Sequence, residues 1–119
     1  ICDASLNTTM LTHWVRDRSR GPRLPLEFCV KRQTSETADF FGFHDRGRLA
    51  VGKKADLNVI DFEGLRLHHP EMIYDLPAGG RRLVQTVDGY DITLCSGVPI
   101  FERGQETGAK PGRLVRATA

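Results

Sequence analysis

The residues of this chain with chemical reach are a histidine pair, three cysteines, one acid at a strand start and several arginines. His68 and His69 are the clustered metal-capable pair. Adjacent residues in an extended segment point to opposite sides, so the two do not converge on one ion, and a solvated loop pair is the better reading. Cys2, Cys29 and Cys95 are odd in number and far apart. They form neither a disulfide framework nor a CxxC metal pair, and read as free thiols of a reducing cytoplasm. Cys29 lies on an apolar helical stripe and Cys95 ends a strand, so both behave as small hydrophobes, and nothing places a histidine beside either. With no ligand set of workable spacing, the chain is expected to hold no zinc. Asp56, between Ala55 and Leu57, is expected to accept turn N–H bonds from around Lys53 and Lys54. Arg81, Arg82, Arg113 and Arg116 suit a solvated strand edge that discourages sheet pairing better than an anion site.

The elements that must position these residues change character along the chain. Asn7, Thr8 and Thr9 offer helix N-cap oxygens. Met10, Leu11, Trp14, Val15 and the stem of Arg18 follow as one apolar stripe at helical spacing, with Arg16, Asp17 and Arg20 off it. Gly21-Pro22 stops that helix. A second helix starts at Pro25, buries Leu26, Cys29 and Val30, and places Glu27 early and Lys31 and Arg32 late, as the helix dipole favours. A third, capped by Thr34 or Ser35, turns Ala38 and Phe41 inward and ends on Gly42, with Phe43 folding back.

From about residue 46 the period becomes alternating. Strands are expected over 48–51, 55–62, 81–87, 90–95 and 98–101, with turns at Gly52-Lys53-Lys54, Asp88-Gly89 and Ser96-Gly97. Pro99 demotes the last strand to an edge or a bulge. Residues 63–80 read as an irregular connection. Helices followed by strands make the chain α+β.

Composition bounds the function. The 119 residues are 39% hydrophobic and 27% charged, ordinary for a soluble domain. A net charge of +2, despite 13 arginines, argues against a nucleic-acid binder. No apolar run approaches 18 residues, so no membrane span is expected, and no basic n-region followed by an apolar block marks a secretory signal. The chain opens Ile-Cys-Asp without an initiator Met, so it is expected to be a piece of a longer polypeptide.

Three stretches together resemble the D-aminoacylase branch of the amidohydrolase superfamily. The first runs from Leu26-Glu27 through Thr34, Ala38 and Phe41-Gly42 to Asp45-Arg46-Gly47. The second is Gly47-Arg48-Leu49, then Gly52-Lys53-Lys54-Ala55-Asp56-Leu57 with its apolar strand. The third, Thr107-Gly108-Ala109-Lys110-Pro111-Gly112-Arg113, narrows the likeness to that branch.

The resemblance implies a parent N-acyl-D-amino-acid deacylase with zinc in a metal-dependent (β/α)8 barrel and a small β-sandwich domain. Residues 1–46 would be the barrel's terminal helices and 47–119 the β-domain's C-terminal strands. The family's metal ligands and catalytic aspartate would lie upstream of Ile1. Asp3 and Ser5 would follow the barrel's last strand closely, as candidates for the substrate rim. Partners would be the upstream barrel or, for the piece alone, a second copy through strand or helix exchange. Trp14 would pack against barrel elements or, in the piece alone, stand exposed and favour association. Alternatives are a non-catalytic α+β association module, a relative that has lost its metal ligands, and a hydantoinase- or dihydropyrimidinase-like hydrolase of cyclic amides.

Overall fold

The computed structural model describes residues 5–116. Its architecture is α+β, with the helices in the first third and antiparallel strands afterwards. Helix α1 (Leu6–Thr9) runs without a break into a π-helical stretch, Met10–Asp17, whose wide turn closes where the Arg18 N–H donates to the His13 carbonyl at 2.9 Å. Asn7, Thr8 and Thr9 lie inside this helix rather than capping it. The Thr8 hydroxyl instead meets the Tyr90 hydroxyl at 2.9 Å, tying the helix to a strand far along the chain.

Helix α2 (Leu26–Gln33) starts after Pro25, and α3 (Ser35–Phe40) follows directly. Thr34 takes the N-cap position of α3, as one of the two expected residues, but its side chain makes no cap hydrogen bond. The Thr34 hydroxyl donates back to the Val30 carbonyl at 2.7 Å, an alternative partner always open to threonine after a helix. The end of α3 is as the sequence suggests. Gly42 takes φ +70°, its N–H reaches the Asp39 carbonyl and that of Phe43 reaches the Ala38 carbonyl, which together close a Schellman turn. Phe43 stacks on Phe41 at 6.2 Å. Of the expected inward stripes, Cys29 and Ala38 are buried, but Leu26, Val30 and Phe41 are exposed.

Among the described residues, eight strands form three antiparallel sheets. The largest has the order β1 (Leu57–Ile60), β6 (Tyr90–Cys95), β7 (Val98–Glu102), β8 (Gln105–Glu106). β2 (Arg66–Leu67) pairs with β5 (Val87–Asp88), and β3 (Glu71–Leu76) with β4 (Gly80–Val84). Ser96 and Gly97 both take positive φ, 54° and 79°, which suits the tight turn between β6 and β7. Pro99 sits inside the sheet, not at its edge, beside a register shift at Thr93/Leu94, so the missing N–H is absorbed by a bulge.

Three expectations are corrected. Residues 48–51 form no strand: Leu49 and Val51 are 87% and 106% exposed, with no strand among the described residues to pair with. Residues 63–80 are not irregular. They hold β2, β3 and the turn into β4, where Ala78 (φ 57°) and Gly79 (φ 70°) give the twist a hairpin needs. The strand expected over 81–87 divides at Gln85–Thr86 into β4 and β5, which belong to different sheets. Within β1 a bulge falls at Val59/Ile60, and Val59 is exposed beside it.

The core is small. Leu11, Cys29 and Leu65 form it, with Met10, Val15, Leu24, Ile60, Phe62, Val87 and Tyr90 packed around them. It therefore joins the helical segment to the strand segment. The radius of gyration is 16.3 Å. A compact chain of 119 residues would measure about 13–14 Å.

Candidate functional site

A polar constellation surrounds Asp56, at the entry to β1. The loop before it is fixed from several sides. Gly47 (φ +81°) lies against α3 so closely that a Cβ there would stand 2.7 Å from that of Ala38 and 3.0 Å from the Thr34 carbonyl oxygen. Arg46 forms a two-point ion pair with Asp45 at 2.8 and 3.0 Å, and its guanidinium lies 5.5 Å over the Phe43 ring. The Lys54 N–H donates to the Asp45 carbonyl at 2.7 Å. These contacts aim two cations at one carboxylate: Asp56 Oδ2 accepts from Lys54 Nζ at 2.9 Å and from Arg46 Nη1 at 3.3 Å.

The other oxygen, Asp56 Oδ1, accepts the Ser96 N–H at 2.8 Å. Beside it the Gly97 N–H donates to the Ala55 carbonyl at 2.8 Å. Ala55 and Asp56 thus clamp the β6–β7 turn. Asp56 receives a turn N–H, as its position suggests, but from a turn 40 residues away rather than from Lys53 or Lys54. Burial alone would push its carboxyl up. The Ser96 N–H, Lys54 and Arg46 outweigh that and hold it below the usual carboxylate range. A carboxylate so saturated with donors is a poor proton acceptor, and its chemistry here is cohesion.

The second stretch of interest lies at the opposite edge of the same sheet. The Thr107 hydroxyl donates to the Pro99 carbonyl at 2.8 Å and accepts the Ala109 N–H at 3.3 Å. Gly108 (φ +82°) turns the chain so that Lys110, Pro111 and Gly112 line a shallow groove of about 320 Å³ with Cys95, Ile100 and Phe101. Arg113 and Arg116 are exposed beyond it. With Asp56 entering β1 and Thr107 following β8, the sheet order keeps the two stretches apart rather than in one site.

The remaining candidates scatter. Asp3 and Cys2 lie outside the described residues. Ser5 opens α1, where its carbonyl accepts the Thr9 N–H at 2.9 Å. His68 Nε2 lies 2.7 Å from Asp88 Oδ2, while His69 is exposed. Among the described residues no three of His, Cys, Asp and Glu gather where they could hold a metal ion. The Cys29 thiol is fully buried, and burial pushes its pKa up. Trp14 is 42% exposed, with the Arg18 guanidinium 4.4 Å over its ring. Arg82 pairs with Asp75 at 2.8 and 2.6 Å.

Arg16 is the important residue that spacing does not single out. From the helix it donates to the carbonyls of Phe62, Glu63 and Leu65, tying the turn after β1 to the helical segment. Its one local signal is Asp17 next door, which takes the rest of the guanidinium at 2.7 and 3.0 Å.

Residues 1–101 match the Amidohydrolase family. An N-acyl-D-glutamate deacylase of Alcaligenes xylosoxydans xylosoxydans is 31% identical over 112 residues, covering 94% of this chain and 20% of the relative. An allantoinase of Deinococcus radiodurans is 33% identical over 95 residues, covering 78% of this chain and 20% of the relative. An uncharacterized protein of Mycobacterium bovis is 34% identical over 115 residues, covering 85% and 18%. The chain therefore spans about a fifth of the length of the curated relatives it matches. No solved structure matches it significantly. No helix among the described residues is long and apolar enough to cross a membrane.

Proposed function

The chain belongs to the amidohydrolase family, and from that premise we propose that it is the C-terminal portion of a hydrolase of non-peptide C–N bonds. The bond we assign is the amide of an N-acyl-D-amino acid. The observation that carries this reading is the family match running through both the helices and the sheets. Support for the linear amide comes from the deacylase relative, aligned over 94% of the chain, and from the closing Thr107–Arg113 stretch. The allantoinase relative favours a second reading, a cyclic-amide substrate.

In this reading the chain's share is architectural. The helices of residues 1–46 complete the outer layer of a (β/α)8 barrel, and residues 47–119 supply strands to a β-domain, working in the cytoplasm. The Asp56 clamp holds the β6–β7 turn on the segment that joins those parts, and Arg16 holds the turn at 62–65. Zinc belongs to the family chemistry the resemblance implies, but the described residues do not fit it. His68 and Asp88 form a pair with no third ligand, so no step is assigned to a metal on this chain.

The test uses the full polypeptide that carries this chain, assayed with N-acetyl-D-glutamate and with allantoin, alongside metal analysis. Hydrolysis of the acyl amino acid with about one zinc per chain is expected, and neither from residues 1–119 alone. Turnover of allantoin alone would move the assignment to cyclic amides. Turnover of neither by a folded, metal-loaded polypeptide would sink it.

A further inference from the structure

The β3–β4 hairpin is a part of the chain for which neither the clamp nor the core accounts. Among the described residues its two strands pair only with each other, which leaves both outer edges open. A two-stranded ribbon is marginal in water without a covered face. Alternation along β3 puts Met72 and Tyr74 on one face, and Leu83 stands directly across from Met72. These three are 44%, 67% and 64% exposed, and Leu76, near the turn, is 44% exposed. The other face carries the Asp75–Arg82 ion pair and the better covered Ile73 and Val84. The hairpin is thus two-sided, with a polar face satisfied internally and an apolar face left bare.

We propose that this apolar face is an intramolecular docking surface, seated on the remainder of the same longer polypeptide rather than on a second copy. The inference rests on the family reading above. Three observations choose the occupant. The relatives are about five times as long as this chain, so most of the surface available to it comes from the same polypeptide. Exposed apolar residues also recur on α2 (Phe28, 46%), on α3 (Phe40, 84%) and after Gly47 (Leu49, 87%). Several separate elements bared together describe one half of a larger core, not one compact patch of the kind a two-fold dimer matches to itself. The excess radius of gyration says the same. Arg81, which alternation places on the Leu83 face, has no carboxylate partner among the described residues. The occupant is therefore an apolar surface that carries an acid opposite Arg81.

The experiment places a photo-crosslinking benzoylphenylalanine at position 74 of the full polypeptide. The expected product keeps the mass of one polypeptide and joins position 74 to a residue outside 1–119. Leu83→Asp is expected to abolish that crosslink, and Arg82→Gln, on the other face, to leave it unchanged. A crosslink between two copies overturns the proposal in favour of a subunit interface. No crosslink overturns it in favour of a free surface, and crosslinks only within residues 1–119 overturn it in favour of packing on this chain's own core. The readout is independent of turnover, so a failed hydrolase assay with an intact intramolecular crosslink would sink the activity alone.

Discussion

Leu65 and Leu83 are the same residue type in the same half of the chain, yet one is 0% and the other 64% exposed. The difference lies in how many segments converge. Around Leu65 three stretches meet: the π-helical stretch brings Leu11, α2 brings Cys29, and the turn after β1 brings Leu65 itself. Arg16 adds hydrogen bonds to three carbonyls of that turn. Around Leu83, among the described residues, β3 and β4 pair with no further strand, and they are sequence neighbours. Leucine is the residue at the centre of both regions. Long-range convergence decides which of them becomes a core.

The sharpest way to break this comparison is at Leu65. Leu65→Ala removes a fully buried side chain from a small cluster and is expected to cost about 2–5 kcal/mol, read as a lower midpoint in urea. A cost near zero would mean that the knot does not hold the helices to the strands. Next comes Gly89 (φ +94°), where an added Cβ would stand 2.7 Å from the Leu65 Cα and 2.8 Å from its nitrogen. Those are backbone atoms and cannot swing aside. Gly89→Ala is expected to cost about 1–3 kcal/mol from strain at this φ and displacement of the same turn. An unchanged melting midpoint would show that the turn is looser than its contacts.

The Asp56 clamp stands between the two regions in strength. Asp56→Ala leaves the Ser96 N–H without its acceptor and frees two cations, for about 1–2 kcal/mol. Its pH dependence has a definite sign. The folded carboxyl lies below its ordinary value because the Ser96 N–H and the two cations outweigh burial. The clamp's stabilisation is therefore present above about pH 4 and lost as pH falls through the lowered folded value. Hydrogen exchange at Ser96 should quicken over that range in the native chain and be pH-shifted no further in Asp56→Ala. Equal protection at pH 3 and pH 6, after correction for intrinsic exchange, would remove the clamp from the account.

What the sequence disclosed follows the same division. Local signals read well. Gly42 ends α3 in the expected turn, Ser96-Gly97 joins β6 to β7, and Cys29 is buried on its stripe. Partners distant in sequence did not. That Thr8 meets Tyr90, that Asp56 reaches Ser96 and that Arg16 serves the turn at 62–65 depend on where the chain returns, and nothing in the spacing of those residues encodes it. The hairpin was hidden for a third reason. Its turn uses Ala78 at φ 57°, where asparagine or glycine is the usual signal, and Pro77 beside it suggests a loop. Residues 48–51 read as a strand by pattern, but a strand needs a neighbour, and none of the described residues supplies one.

The smallest expected effect tests the comparison from its other side. Tyr74 is 67% exposed on a ribbon that touches little beyond itself, so in residues 1–119 alone Tyr74→Ser should change stability by less than about 0.5 kcal/mol. The same substitution in the full polypeptide should cost more, because there the ring is removed from water and its replacement leaves apolar surface uncovered. The gap between the two measurements is the quantity of interest. A large effect in the short chain would mean that the hairpin already packs on the knot, and the contrast between Leu65 and Leu83 would lose its physical basis. Equal small effects in both chains would mean that convergence stops at the knot and the hairpin stays a solvated arm. Only an effect that appears with the added chain length makes the exposed face what its geometry suggests, the half of a core whose other half is carried elsewhere in the polypeptide.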